Sequence, residues 1–407
     1  METVKVAIIG FGTIGSGIAE VLEKQKKLIT SRTGKTFELS KILDIRDFSV
    51  HPLKDRFVRT IDEITIDDSI SVVAEAIGGV MPAFEYVMKC IAAGKHVVTS
   101  NKELVATKGH EIFKAAQQHG VGFLFEAAVG GTMPIISSMT GVLSANSIER
   151  IDGILNGTTN FILTNMFRKK LSFEEALSRA QQLGYAETKD PSDDVDGIDA
   201  GRKIAILASI AYGSQFPVEK VHMVGIRNVS YEDLQLADLA GGAIKLIASA
   251  EGKEFGDVRA SVLPTFVPKE NRFASVDDVF NMASLKCSMS GTVEVHGRGA
   301  GKLPTAAVVV GDIIELSVKT SSRPALWTAP VQNPDKSGEI RTRYFMTAYA
   351  KDEAGFAKLG GQIEVACSIE GASGLFTAEI LRGEEGKLSR SLSKMGIDVK
   401  FFPVLKD

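Results

Sequence analysis

Residues 4–17 read Val-Lys-Val-Ala-Ile-Ile-Gly-Phe-Gly-Thr-Ile-Gly-Ser-Gly. An apolar strand runs straight into Gly10-x-Gly12-x-x-Gly15, and an amphipathic run at helical spacing, Ile18 to Leu28, follows. The three glycines have separate jobs. Gly10 permits the tight turn, Gly12 lets a pyrophosphate approach the backbone, and Gly15 lets the helix sit close to the strand. The helix then aims its N-terminal amides at the phosphates. An ordinary glycine-rich turn is the plain alternative, but the strand–turn–helix context makes the pattern far more specific than its spacing alone. Gly10, Phe11, Gly12, Thr13, Ile14 and Gly15 therefore form the candidate site for NAD or NADP.

Working outward, the chain of 407 residues is long enough for two or three domains, each with its own core. Its 44% hydrophobic and 24% charged content is ordinary for a soluble globular protein. A net charge of -3 gives no electrostatic reason to expect nucleic acid. Cys90, Cys287 and Cys367 are isolated, which suggests a reducing compartment and no thiolate metal centre. No basic n-region precedes the first strand, and no apolar run reaches the length of a membrane span. A soluble, cytoplasmic protein without a membrane or nucleic-acid partner is the expectation.

The first third alternates strand and helix: strands at 38–45, 71–77, 95–99 and 121–127, with helices at 81–93 and 109–119. That rhythm predicts an α/β fold, a doubly wound parallel sheet of Rossmann type. Ligands bind beyond the carboxyl ends of such strands, so Gly78, Thr99 and Ser100 join the cofactor candidates. At the end of the second strand stand Asp44 and Arg46. An acid there suits the ribose 2′-hydroxyl of NAD and an arginine the 2′-phosphate of NADP, so both cofactors stay open, as does a merely solvated strand end. The expected division is a nucleotide domain over 1–135 and an α+β substrate and dimerisation domain over 136–320. The last helix of that second unit, about 304–318, is able to return to the first. A linker follows over 321–342, rich in Pro, Ser, Asn, Asp and Gly, and then a small βαββαβ module over 343–407.

Chemistry concentrates in a few places. Thr99-Ser100-Asn101-Lys102 follows a buried strand where the nicotinamide should lie. Lys102 there can hold an anionic group or move a proton; the plain reading is a helix capped by Ser100 or Asn101 with a solvated lysine. Gly184 to Lys203 reads Gly-Tyr-Ala-Glu-Thr-Lys-Asp-Pro-Ser-Asp-Asp-Val-Asp-Gly-Ile-Asp-Ala-Gly-Arg-Lys. Asp190-Pro191 can start a helix whose positive end Asp193, Asp194 and Asp196 complement. Asp199 and Lys203 are four apart and share a helix face, ahead of the apolar run Ile204 to Ala208. A partly buried lysine beside a carboxylate can exchange a proton with an alcohol; a surface ion pair is the alternative. Asn156-Gly157-Thr158-Thr159-Asn160 can bind a polar substrate through amides and hydroxyls, or cap a helix. Glu126 to Met133 reads as a strand entering a glycine turn, with a carboxylate and carbonyls that suit a hard cation.

Together these stretches resemble homoserine dehydrogenase. The markers are GFGTIGSG at the N-terminus, GKHVVTSNKELVA (94–106), FEAAVGGTMPII (125–136), GILNGTTNFIL (153–163), GYAETKDPSDDVDGIDAGRKIAIL (184–207) and GRGAGKLPTA (297–306). The resemblance covers essentially the whole chain. It implies interconversion of L-homoserine and L-aspartate 4-semialdehyde with NAD or NADP, in threonine, methionine and isoleucine biosynthesis. It implies Lys203 as acid/base, Asp199 as its partner, Lys102 near the nicotinamide, Glu187, Gly157, Thr158 and Asp194 toward the substrate, and Gly301 toward the cofactor. It further implies a sodium site at Glu126 with the backbone oxygens of Val129, Gly131 and Met133, a homodimer or larger homo-oligomer, and an ACT-like C-terminal module open to an amino-acid effector. Two departures from the family pattern stand out. One extra residue separates Glu187 from Asp190-Pro191, and Asp352-Glu353-Ala354-Gly355 lacks the usual proline before glycine.

Other readings fit less well. A dehydrogenase for another hydroxy acid wants a cationic clamp and often a histidine base, and the cluster here is acidic plus lysine. Aspartate-semialdehyde dehydrogenase needs a cysteine nucleophile at a polar turn, and Cys90 lies in an apolar helix. A catalytically dead nucleotide sensor has no use for Lys102, Asp199 and Lys203 together.

Overall fold

In a computed structural model, residues 2–253, 256–318, 325–329, 341–350, 363–381, 384–394 and 396–406 are described. The first layer contains β1 (Thr3–Ile9), α1 (Thr13–Lys24), α2 (Lys26–Thr33), β2 (Thr36–Leu43), β3 (Phe57–Val58), α3 (Asp62–Thr65), β4 (Ile70–Glu75), α4 (Ala83–Ala92), β5 (His96–Thr99), α5 (Lys102–Gln118) and β6 (Phe123–Leu124). Its six strands are all parallel and lie in the order β3-β2-β1-β4-β5-β6. That is the dinucleotide-binding arrangement, with β1 beside the point where the order reverses. Strands β1 and β4 carry near-continuous buried residues because helices cover both faces.

Several boundaries differ from the sequence expectation, each for a physical reason. Helix α1 begins at Thr13, five residues before the apolar run, because its first turn forms the phosphate loop. Strand β2 stops at Leu43, so Asp44 and Arg46 stand on the following loop. Helix α5 starts at Lys102 and runs straight through Gly109. That glycine is a packing requirement: a Cβ there would lie 2.4 Å from Cζ2 of Trp327. The strand expected over 121–127 shrinks to β6, and Glu126–Ala128 form a 3₁₀ turn.

The second layer follows with α6 (Ile135–Thr140), β7 (Ile148–Ile154), α7 (Gly157–Lys169), α8 (Phe173–Gln182), α9 (Ser192–Val195), α10 (Ile198–Tyr212), β8 (His222–Met223), α11 (Tyr231–Leu239), β9 (Gly242–Gly252), β10 (Val258–Pro268), β11 (Phe280–Cys287), β12 (Gly291–Arg298) and α12 (Lys302–Val318). Its mainly antiparallel sheet has the order β12-β11-β7-β9-β10-β8, and α7, α10 and α11 pack on it. The helix expected from Asp190-Pro191 is broken: Gly197, at φ +83°, separates α9 from α10. Helix α12 returns to the first sheet. Ala306, Val309, Val310 and Ile313 share a core with Val6, Ile8 and Ile18 of β1 and α1, and Gly17 leaves room for Ala306.

The remaining elements are β13 (Arg341–Thr342), β14 (Tyr344–Ala350), β15 (Ile363–Ile369), β16 (Ala372–Thr377), β17 (Ile380–Leu381), α13 (Glu385–Ser393) and β18 (Ile397–Pro403). An antiparallel sheet runs β15-β16-β14-β18. The first helix expected in this module and the turn 352–355 lie outside the described residues, as does most of the 321–342 linker. Within that linker Trp327 is buried against Phe113 and Phe125.

Candidate active site

The glycine loop joins β1 to α1 at the carboxyl edge of the first sheet. Gly10 has φ +90°, and a Cβ there would sit 2.8 Å from the Ala76 carbonyl oxygen. A Cβ on Gly15 would come within 1.9 Å of the Gly10 carbonyl oxygen, so only glycine lets α1 approach β1 this closely. At Gly12, the N-cap of α1, a Cβ would meet nothing within 4 Å. The backbone there faces open space at the positive end of a helix, which is what a pyrophosphate requires. The loop residues Thr13 and Ile14 open the same helix. Phe11 contributes its backbone only: its side chain is buried against Phe48, Phe57 and His51.

Asp44 accepts the Phe11 amide at 2.7 Å and is gripped by Arg46, whose Nε and Nη2 donate at 2.9 and 2.8 Å. The Arg46 guanidinium beside it lowers the Asp44 carboxyl to about 2. The two side chains weighed for the ribose thus hold each other. Gly301, at φ +133°, opens α12 next to this loop, and Lys302 reaches Glu20 of α1 at 2.9 Å. Gly78 lies past β4 with φ +92°.

A buried polar cluster lies where α5 of the first layer meets α7 and α10 of the second. Asn101 caps α5, accepting from the Leu104 amide at 3.0 Å, so Lys102 is the first residue of that helix. A cation there opposes the helix dipole. Asp199, in the first turn of α10, offsets this: Lys102 Nζ lies 2.8 Å from its Oδ1. Its other oxygen, Oδ2, takes Lys203 Nζ at 2.7 Å and Asn156 Nδ2 at 3.0 Å. Lys203 Nζ also donates to the Leu155 carbonyl at 2.8 Å. Asn156 caps α7 through the Thr159 amide and donates to Asp194 at 2.7 Å.

Electrostatics follow from this packing. Burial pushes the Asp199 carboxyl up, but Lys203 and Lys102 together outweigh it and hold it well below the usual carboxylate range. The Asp199 charge in turn raises Lys102. Among the described residues no lysine forms an ion pair with Asp194; burial, reinforced by the Asp199 charge, outweighs the Asn156 amide and the more distant Lys203 and Lys102 and raises its carboxyl. The site therefore offers a carboxylate held in its charged form, two lysine side chains on it, and a second acid poised differently.

The other predicted residues fall as follows. Gly157 and Thr158 open α7, and the Thr158 hydroxyl donates to the Tyr185 carbonyl at 2.7 Å. That bond ties the loop to the segment carrying Glu187, which is itself exposed and makes none of the cluster's contacts. Ser100 is half-buried and does not cap the helix. Thr99, taken as a cofactor residue, is fully buried and turns its hydroxyl to Glu75 at 2.5 Å. Glu126 does not end a strand: its carboxylate accepts the Ile136 and Ser137 amides of α6 at 2.9 and 2.6 Å. Sequence reasoning missed Glu75 and the bridging role of Asn156. A lone acid at the end of the apolar strand Ile70–Glu75 was the available signal for the first.

Comparison with known proteins bears on the same regions. A family model described as homoserine dehydrogenase matches residues 134–314, and one for the NAD-binding domain of homoserine dehydrogenase matches 10–126. The chain belongs to the homoserine dehydrogenase family. It carries that family's NAD-binding domain, and its activity is that of an oxidoreductase. A homoserine dehydrogenase of Synechocystis is 43% identical over 333 residues, covering 80% of this chain and 76% of its own length. The crystal structure of a homoserine dehydrogenase from Thiobacillus denitrificans superposes with a TM-score of 0.88 at 32% identity, covering 100% of this chain and 99% of that one. A hyperthermophilic archaeal homoserine dehydrogenase in complex with NADPH is similar over 80% of this chain and 99% of its own, with TM-score 0.67 and 29% identity. Among the described residues, no helix is long and apolar enough to cross a membrane.

Proposed function

We propose that this homoserine dehydrogenase works through the Lys102–Asp199–Lys203 cluster, with Lys203 as the acid/base. The observation that carries the reading is one buried carboxylate shared by two lysines that reach it from different layers. The nicotinamide cofactor, when bound, supplies the hydride chemistry at C4 of the four-carbon amino acid. Lys203 Nζ takes the hydroxyl proton during oxidation of L-homoserine and returns it during reduction of L-aspartate 4-semialdehyde. Asp199 and the Leu155 carbonyl keep that amine in one orientation. Lys102 stands at the nicotinamide side of the cluster. Asp194 and Glu187 face the substrate ammonium, and the α7 opening at Gly157 and Thr158 receives its polar end.

The open backbone at Gly12 and the pre-bent Gly10 suit the pyrophosphate of NAD or NADP, with Asp44 and Arg46 dividing the choice between them. Glu126 with the carbonyls of Val129, Gly131 and Met133 fits a sodium ion. Burial raises that carboxyl against the pull of the Ser137 amide and hydroxyl and the Ile136 amide, so a bound cation would offset the cost of burying its charge. A homodimer forms through the second sheet, whose edge strand β12 has no buried residue. The C-terminal sheet order, second-third-first-fourth, suits an ACT-like βαββαβ module able to take an amino-acid effector. The test is purified protein with L-homoserine and each cofactor in turn. Reduced nicotinamide should accumulate; folded protein inactive with both cofactors would sink the assignment.

A further inference from the structure

One buried polar side chain near the site has no contact to explain it. Asn281 of β11 is 0% exposed. Neither its amide nitrogen nor its amide oxygen has a hydrogen-bond partner among the described residues. Buried polar atoms are nearly always paired, and an apolar residue of similar size would carry no such cost. An asparagine left open in this way calls for a function.

Its location suggests one. Strand β11 pairs with β7 so that Met282 faces Ile154; Asn281 is one step further, level with Leu155, whose carbonyl holds Lys203. On the other side Asn281 pairs with Gly297 of β12. Its amide is wedged between two glycines. A Cβ on Gly299 would lie 2.2 Å from Asn281 Nδ2, and one on Gly157 would lie 3.3 Å from Asn281 Oδ1. Gly157 opens α7, whose first-turn amides have no partner within the helix. Gly299 stands two residues before Gly301 and the start of α12. The loop at Gly131 closes on the same point, since a Cβ there would lie 2.4 Å from the Gly299 carbonyl oxygen.

We propose that Asn281 is a positioning residue for hydride transfer: its amide links the substrate loop at Gly157 to the cofactor loop at Gly299. In the filled site, Nδ2 donates to a carbonyl of the 297–301 segment and Oδ1 accepts a first-turn amide of α7. The amide already touches both loops, so a small slide of one against the other makes these bonds. Nothing passes through Asn281 chemically; it fixes the distance between alcohol carbon and nicotinamide. The inference rests on the cleft being the homoserine dehydrogenase site.

The test compares Asn281→Leu and Asn281→Ala with the wild-type enzyme, using homoserine and whichever cofactor the wild type turns over. An inactive wild type would defeat the functional reading itself, which separates that failure from the present one. With active wild type, Asn281→Leu should melt no lower than wild type without ligands. Its kcat should fall about 10²-fold, the usual effect of slight misplacement of reacting groups. KM for homoserine and for cofactor should rise by no more than about tenfold, the loss of modest hydrogen bonds made on filling, and so by less than kcat falls. The primary deuterium isotope effect with L-homoserine deuterated at C4 should rise, because hydride transfer becomes limiting. A fall in kcat below about tenfold, or one that tracks a lower melting temperature, overturns the proposal. If Asn281→Leu does not fold, Asn281→Ala is judged by the same criteria. Failure of both to fold makes the residue structural and also overturns it.

Discussion

Lys203 owes its proposed role to neighbours drawn from three parts of the chain. Asp199 lies one helical turn away, Leu155 ends the stretch after β7, and Lys102 shares the same carboxylate from the other layer. Lys203→Ala should lower turnover at least about 10²-fold, the contribution of a positioned acid/base. Cofactor binding, read from the melting-temperature shift on adding NAD or NADP, should survive. Near-normal turnover would reduce Lys203 to an ion-pair partner. Asp194 supplies a second check through pH. Its carboxyl is raised by burial, so on acidification it takes a proton sooner than an ordinary aspartate. The substrate ammonium then loses a counter-charge, and kcat/KM for homoserine should fall on the acid side. Asp194→Asn should abolish that inflection; identical profiles would remove Asp194 from substrate binding.

At the level of elements, capping and close packing decide where helices begin and continue. Asn101 and Asn156 cap α5 and α7 and so set Lys102 and Gly157 at helix starts. Gly109 is the instructive failure. A glycine in a helical pattern reads as a break, yet α5 passes through it because the Trp327 ring fills the space a side chain would need. Gly109→Val should therefore cost about 1–3 kcal/mol as an overpacked core position, visible as a lower melting temperature. An unchanged melting temperature would mean the ring moves aside freely.

Across the whole molecule, the C-terminal sheet is anchored rather than appended. Asp233 of α11 is fully buried and takes the hydroxyls of Thr347 and Tyr349, each at 2.5 Å, and Lys400 at 2.6 Å. Leu405 joins a core with Ile154, Val267 and Met282 of the second sheet. Truncation before Arg341 strands that carboxylate and opens that core, so the melting temperature should fall while homoserine oxidation stays measurable. L-threonine should inhibit the intact enzyme weakly or not at all, because Asp352-Glu353-Ala354-Gly355 lacks the proline that presets the turn. Strong inhibition by threonine, lost on truncation, would contradict this. Light scattering should give the mass of a dimer; a monomer mass at working concentration would count against assembly through the second sheet.

What depends on neighbours along the chain was legible before any fold was known. The glycine loop and its roles, the parallel βα rhythm and the shared face of Asp199 and Lys203 are local facts of spacing and backbone freedom. Tertiary structure alone decided the rest. It turned Thr99 inward to Glu75, paired Asp44 with Arg46, split the helix at Gly197 and left Glu187 in solvent. It also brought Lys102 to Asp199 and wedged Asn281 between Gly157 and Gly299. The physical reason is range. A turn or a cap is settled by a few adjacent residues, whereas a shared carboxylate or an unpaired amide depends on how layers distant in sequence pack together.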